Sequence, residues 1–192
     1  MIRIAVLGEI GSGKSYLAKQ FGYPVFDADM EVTKLYRKSR KCYNKLKKAL
    51  PEYISSFPTK KIEISEAIIA GQYNLKKIIK IIHPEIRSNM NSFIKKNKNK
   101  KLVILDIPLL MENKINKKND ILIFVDAKKK EINKRLKKKL NINAKIIEKF
   151  KKLQLPVELK KQQSDFIIKN NFRNNSIKKN VKKVLEKILL NA

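Results

Sequence analysis

One segment near the N-terminus combines the residue types that bind phosphate. It reads Gly8-Glu9-Ile10-Gly11-Ser12-Gly13-Lys14-Ser15 and matches the pattern G-x-x-x-x-G-K-[ST]. In such a loop the backbone N–H groups surround phosphate oxygens, and glycine permits the conformations that this requires. An apolar strand pattern precedes the segment and a helical pattern follows it. We therefore expect Lys14 to reach the β- and γ-phosphates of a nucleotide and the Ser15 hydroxyl to bind Mg²⁺.

Acidic residues follow two further apolar stretches. Asp106 ends the run Leu102-Val103-Ile104-Leu105, a position where P-loop proteins place a carboxylate beside magnesium and where an acid also often caps a helix. Asp27 and Asp29 point the same way if their strand persists. One of the two could accept a proton from an attacking hydroxyl, and capping of the next helix is the alternative.

The remaining candidates are one histidine and two arginines. His83 is the only histidine, and a lone histidine beside a proline is more often structural than catalytic. Arg87 shares its helical face if one helix includes both residues. Arg135 stands among lysines in a chain with 46 basic residues, most of them Lys. Its rigid guanidinium favours bidentate phosphate contacts that Lys cannot copy.

The elements that must position these residues alternate along the chain. Short apolar runs ending in polar residues alternate with helical patterns, which predicts an α/β fold with a doubly wound parallel sheet of about five strands. The helix-rich stretch from 30 to 100 is longer than a crossover needs, so we expect a helical insertion on the substrate side. The expected helices there are Met30–Leu50, Ile62–Ala70, Leu75–Ile82 and Pro84–Ile94, the last with Pro84 in its first turn.

Over nearly its whole length the sequence resembles the dephospho-coenzyme A kinases, which catalyse the last step of coenzyme A synthesis. Beside the phosphate loop, the strings Asp-Ala-Asp, His-Pro-x-x-Arg and Asp-Ile-Pro-Leu-Leu-x-Glu are much more restrictive than the loop alone. The matching segments are 8–15, 25–29, 81–87, 105–112, 135–136, 154–156 and 164–170. The resemblance implies transfer of the γ-phosphoryl of ATP to the ribose 3′-hydroxyl of dephospho-coenzyme A, with ATP and Mg²⁺ required.

The resemblance also implies residue roles. Asp29 is the base, Lys14 and Arg135 neutralise the transferring phosphoryl group, and Ser15 binds Mg²⁺ with Asp106 beside it. The resemblance also implies two larger sets of residues, one for each substrate. The phosphate-binding residues are Gly8, Gly11, Ser12, Gly13, Lys14, Ser15 and Tyr16, and the acceptor-side residues are Asp29, His83, Arg87, Asp106, Pro108 and Leu109. Residues 1–29 and 101–192 form the P-loop core, with a lid over about 135–150, and 30–100 form the coenzyme A domain.

Composition limits the other function classes. The chain has 192 residues and is 43% hydrophobic, enough for a packed core, and its single Cys42 excludes an internal disulfide. We expect a cytoplasmic monomer that acts on small molecules, without a membrane partner. The net charge of +29 leaves a nucleic-acid-binding protein as a rival, but its basic residues are spread over every helix and no nucleic-acid motif appears. The alternative within enzymes is another P-loop kinase, for a nucleoside or nucleotide.

Overall fold

The structure is a computed structural model that describes residues 1–138 and 143–190. The described residues form two compact units. The core unit comprises 1–27, 97–138 and 151–190, and the helical unit comprises 28–96 and 143–150. Between 1 and 138 and from 143 to 190, no helix is long and apolar enough to cross a membrane.

The core unit is built on a parallel sheet. Within the described residues its five strands are β1 (Ile2–Gly8), β2 (Val25–Asp27), β3 (Leu102–Asp106), β4 (Ile121–Ala127) and β5 (Phe166–Asn170), in the order β2-β3-β1-β4-β5. Every pairing is parallel. The helices are α1 (Lys14–Gln20), α2 (Ala28–Lys38), α3 (Arg40–Ala49), α4 (Lys61–Ala70), α5 (Gln72–Lys96), α6 (Lys129–Lys138), α7 (Ala144–Lys151), α8 (Val157–Gln162) and α9 (Asn174–Leu190). The predicted doubly wound parallel sheet is confirmed.

β-Branched and other apolar side chains hold the central strands inside the core unit. Ile4, Ile104 and Ile123, one from each of three neighbouring strands, are fully buried. All five residues of β3 are buried, as expected for a parallel strand that is covered on both faces. Each such side chain contributes about 1.5–3 kcal/mol relative to an exposed one. This packing makes the strand ends a rigid base for the loops that follow them.

The order of the strands decides where a ligand site can form. The chain leaves β1 for β2 on one side of the sheet, and leaves β3 for β4 on the other side of β1. In such sheets the carboxyl ends of the two central strands border a crevice because their connections diverge. Gly8 ends β1 and Asp106 ends β3, so the phosphate-loop sequence and the predicted metal carboxylate both follow strands that border this crevice.

The helix expected over Met30–Leu50 is wrong as a single element. α2 ends at Lys38 and α3 begins at Arg40, because Ser39 has an extended backbone and its Oγ accepts a hydrogen bond from the N–H of Cys42 at 3.1 Å. A serine that satisfies one of the free N–H groups at a helix start favours a new helix over continuation. The basic residues on both sides of Ser39 contain no pattern that predicts a break between two helices.

The separate helix expected from Pro84 is also wrong. α5 runs through this position without interruption from Gln72 to Lys96. One apolar stripe continues across the proline, formed by Leu75, Ile78, Ile82, Ile86 and Met90, all buried. Proline removes its own donor from the helix, and the buried stripe on both sides holds the helix together despite that loss.

Two expectations concern the ends of elements near the site. β2 stops at Asp27, so Asp29 does not share a strand with it and lies instead in the first turn of α2. A carboxylate is favourable there because the N-terminus of a helix carries partial positive charge. Of the lid expected at about 135–150, residues 139–142 lie outside the described residues, and 143–150 pack with the helical unit.

Candidate active site

The phosphate-loop sequence forms the turn between β1 and α1. Gly8, Gly11 and Gly13 all have positive φ angles, of 148°, 88° and 93°. The sharp turn that they make aims the N-terminus of α1 at the space over the loop, where its free N–H groups favour an anion. Ser12 is fully buried in the loop, and its Oγ has no hydrogen-bond partner among the described residues. The geometry is that of a phosphate cradle.

The Lys14 side chain folds over this loop. Its Nζ donates hydrogen bonds to the carbonyl oxygens of Gly8 at 3.1 Å and Glu9 at 2.9 Å. Because both carbonyls belong to the loop, these bonds hold the Lys14 ammonium against the loop. The Ser15 hydroxyl lies in the first turn of the same helix, on an exposed residue. Both residues thus lie at the loop, and their roles toward phosphate and Mg²⁺ stay predictions.

Asn170, at the end of β5, fixes the backbone of the loop from the other side. Its Nδ2 donates to the carbonyl oxygen of Ser12 at 2.7 Å, and its Oδ1 accepts from the N–H of Phe172 at 2.8 Å. The residue is 4% exposed. A Cβ added at Gly13 would lie only 2.5 Å from Nδ2, so the amide reaches Ser12 only because residue 13 lacks a side chain. Asn170 belongs to one of the matching segments, but no pattern in the sequence indicates this contact with Ser12.

Helix α6 approaches the loop closely and carries Arg135. A Cβ added at Gly11 would lie 3.1 Å from the side chain of Leu136, so the helix packs directly on the loop. The Arg135 guanidinium lies 4.5 Å from the centre of the Phe172 ring, a cation–π distance. Phe172 is beside Gly13, since a Cβ there would come within 3.5 Å of its Cε1. The structure thus brings Arg135 next to the phosphate loop through the Phe172 ring.

Two carboxylates lie side by side where β2 and β3 end. Asp27 and Asp106 are paired residues in the register of these parallel strands. Asp106 is 4% exposed and comes one residue after Leu105, which pairs with Ala5 of β1. Carboxylate and hydroxyl oxygens are ligands that Mg²⁺ prefers, and this ion takes one or two of them from a protein and the rest from water and phosphates. In the described part of the chain, no group of three metal-binding side chains forms.

A narrow cleft adjoins the loop in the core unit. It brings together four residues predicted for the site: Gly8, Lys14, Pro108 and Leu109. Glu112, Gln154 and Lys160 also line it, and none of these three had a role assigned from the sequence. Tyr16 lies elsewhere, on the exposed side of α1, where its hydroxyl donates to Asn174 Oδ1 at 2.9 Å. It therefore joins α1 to α9.

The other predicted residues belong to the helical unit. Asp29 is exposed in the first turn of α2, and the hydroxyl of Thr33 donates to its backbone carbonyl at 2.9 Å. His83 and Arg87 are one turn apart on α5, which confirms that a single helix includes both. Burial lowers the pKa of His83 below its ordinary value, and the positive charge of Arg87 adds to this. Both effects favour the neutral imidazole.

The comparisons of the sequence with known proteins indicate one family. The sequence model of a family described as dephospho-CoA kinase matches residues 2–177. The chain belongs to this family. A dephospho-CoA kinase of Wolbachia sp. subsp. Brugia malayi (strain TRS) is 31% identical over 194 residues, covering 98% of this chain and 99% of the relative. The resemblance stated from the sequence is confirmed, and the chain is an enzyme of the kinase class.

Solved structures support the fold. The crystal structure of TT1252 from Thermus thermophilus superimposes with a TM-score of 0.77 at 23% identity, covering 99% of this chain and 97% of that one. The dephospho-CoA kinase from Campylobacter jejuni gives 0.63 at 20% identity, with 97% and 96% covered. At these identities the likeness concerns the architecture alone: a five-stranded parallel sheet with helices.

The contact between Gly13 and Asn170 gives a testable expectation. Gly13→Ala puts a methyl group against the Asn170 amide, whereas Gly22→Ala, also at positive φ (73°), meets nothing within 4 Å. Both variants carry the backbone strain, so their difference isolates the clash. We expect Gly13→Ala to lower the free energy of unfolding by about 1–3 kcal/mol more than Gly22→Ala, measured by urea denaturation. Equal losses would show that Asn170 does not contact the loop this closely.

Proposed function

We propose that this enzyme transfers the γ-phosphoryl group of ATP to the ribose 3′-hydroxyl of dephospho-coenzyme A, giving coenzyme A and ADP. The observation that carries the proposal is the extent of the family match, which includes the phosphate loop and also the whole helical stretch after Asp27. The phosphate loop alone is shared by kinases for many acceptors. The match across the helical unit favours dephospho-coenzyme A over the nucleosides and nucleotides of the alternative reading.

On the donor side, the loop and two cations bind the phosphates. Backbone N–H groups at the start of α1 bind phosphate oxygens, and Lys14 exchanges its two carbonyl contacts for the β- and γ-phosphates. Arg135 lies beside the loop and supplies a second positive charge as the phosphoryl group moves. Because both cations already lie beside the loop, they need to move little during the reaction. Positive charge that is placed in advance is a main source of catalysis in phosphoryl transfer.

The site residues fit a magnesium ion. Ser15 and Asp106 would hold it, with Asp27 next to Asp106 in the strand register. Their hydroxyl and carboxylate oxygens are hard ligands suited to this ion. When bound, Mg²⁺ supplies positive charge to the β- and γ-phosphate oxygens. The chain itself contributes oxygen ligands anchored at the rigid ends of the central strands.

On the acceptor side, Asp29 is the general base. Its carboxylate accepts the proton of the ribose hydroxyl as that oxygen attacks phosphorus. Neutral His83 offers a hydrogen bond without charge, Arg87 offers a positive charge to the substrate phosphates, and Pro108 and Leu109 shape the acceptor pocket. Closure of a lid over about 135–150 excludes water, which prevents wasteful hydrolysis of ATP.

The charge of the chain suits anionic substrates. Both ATP and dephospho-coenzyme A are negatively charged, and a field from +29 net charges raises their local concentration until salt screens it. The proposal includes a monomer in the cytoplasm that binds these small molecules and has no specific nucleic-acid partner.

An acceptor panel tests the proposal. The purified chain is given Mg-ATP with dephospho-coenzyme A, with nucleosides and with nucleoside monophosphates, and ADP formation is followed. We expect dephospho-coenzyme A to give by far the highest kcat/KM. Phosphorylation of a nucleoside or nucleotide without turnover of dephospho-coenzyme A would support the alternative kinase instead.

A further inference from the structure

A buried ion pair lies at the edge of the cleft beside the phosphate loop. Lys160 on α8 and Glu112, in the segment after β3, approach to 3.3 Å between Nζ and Oε1, and their side chains are only 3% and 9% exposed. Removing two charges from water costs about as much as their attraction returns, so such a pair adds little stability. Its presence next to a reaction site therefore needs another explanation.

Glu112 also holds the backbone of a neighbouring turn. The same Oε1 accepts a hydrogen bond from the N–H of Leu155 at 3.0 Å. Leu155 directly follows Gln154, and Pro156 is the N-cap of α8, the helix that carries Lys160. The carboxylate thus fixes the peptide next to Gln154, while Lys160 fixes the carboxylate. Breaking the pair would release this turn.

Gln154 and Lys160 face the same cleft as the phosphate-binding groups. Both line it together with Gly8 and Lys14. The Gln154 carboxamide forms no hydrogen bond with any residue in the described ranges. Lys160 Nζ, with three donors, has Glu112 as its one acceptor there. Polar groups held beside a phosphate loop with unused donors are suited to an oxygen-rich ligand.

We propose that Gln154 is a further substrate-contacting residue, whose carboxamide donates to the transferring phosphoryl group, and that the buried Glu112–Lys160 pair positions it. The inference rests on the proposed function. A neutral amide can donate to a phosphoryl oxygen without adding a third full charge to a cleft that already contains two ammonium groups. The pair acts through Gln154, so Glu112 and Lys160 are positioning residues.

The first test replaces the amide with an uncharged side chain of similar length. Gln154→Met is expected to lower kcat about tenfold to a hundredfold, the loss typical of one hydrogen bond to a charged group. ATP affinity, measured by titration calorimetry, should change much less. The matched control is Gln162→Met, at the exposed last residue of α8, the helix that follows Gln154. It should keep the wild-type kcat.

The second test asks whether the pair acts through Gln154. Lys160→Met should also lower kcat, and adding Gln154→Met to it should lower kcat little further, because coupled residues are not additive. Lys160→Arg keeps the charge and should restore part of the rate. A merely structural role would lower the unfolding temperature and leave the two effects on kcat additive.

The outcomes separate this inference from the proposed function. If the wild-type chain forms coenzyme A but Gln154→Met keeps its kcat, or the double variant shows additive losses, the inference is overturned and the proposed function stands. If the wild-type chain forms none, the proposed function fails first. A tenfold or larger loss of kcat in Gln154→Met, with strong non-additivity, supports the inference.

Discussion

Asp29→Asn is expected to lower kcat with Mg-ATP and dephospho-coenzyme A by about a hundredfold to ten-thousandfold, the range for loss of a general base. The amide has the same shape but cannot accept the proton of the ribose hydroxyl. The proposed ATP site is the phosphate loop of the core unit, so the affinity for ATP should stay near the wild-type value. Steady-state turnover and calorimetric titration of ATP measure the two quantities separately.

Two further variants make this result specific. Glu66→Gln removes one negative charge from an exposed position on α4 of the same helical unit, and it should leave kcat unchanged. Asp27→Asn tests the second acid, because the spacing of Asp27 and Asp29 did not decide which of them accepts the proton. A wild-type rate for Asp29→Asn, together with a large loss for Asp27→Asn, would assign the base to Asp27 instead.

The second large effect is expected at Lys14. Lys14→Met keeps the length of the side chain but removes the ammonium that now contacts the carbonyls of Gly8 and Glu9. We expect kcat to fall about a hundredfold to a thousandfold, as for loss of a donor to developing charge. Lys14→Arg should not restore it, because the planar guanidinium cannot take the place of a compact ammonium.

The control for Lys14 lies on the same helix. Lys19→Met removes an equal charge from an exposed position in the last turn of α1. It should leave kcat unchanged and lower stability by at most about 1 kcal/mol through the lost interaction with the helix dipole. A wild-type kcat in Lys14→Met would refute the assigned role, and a large loss in Lys19→Met would point to a general effect of charge.

The strands and the phosphate loop were predictable because their signals are local. A short apolar run predicts a buried strand, and the Gly8 or Asp106 at its end indicates where the strand stops and the turn begins. The helices were less certain at two points. A single side-chain cap at Ser39 divides α2 from α3, and a buried stripe carries α5 through Pro84, so in both cases tertiary packing and one hydrogen bond outweighed the local pattern.

The site contacts that sequence reasoning missed join residues far apart in the chain. Asn170 reaches Ser12 across 158 positions, and Lys160 reaches Glu112 across 48. Lys160 looks like any other lysine in a chain with 46 basic residues, because only folding shows that its side chain is buried. A pattern can indicate that Asn170 and Glu112 belong to a motif, but it cannot show what they hold.

The fate of the transferred phosphoryl group decides whether the ribose 3′-hydroxyl of dephospho-coenzyme A is the acceptor. The purified chain is incubated with Mg-ATP and dephospho-coenzyme A, and the acceptor is then treated with periodate, which cleaves a ribose with free 2′- and 3′-hydroxyls. We expect one ADP for each acceptor molecule converted and a product that resists periodate because its 3′-oxygen carries phosphate. ADP formed while the acceptor stays fully sensitive to periodate would contradict this expectation.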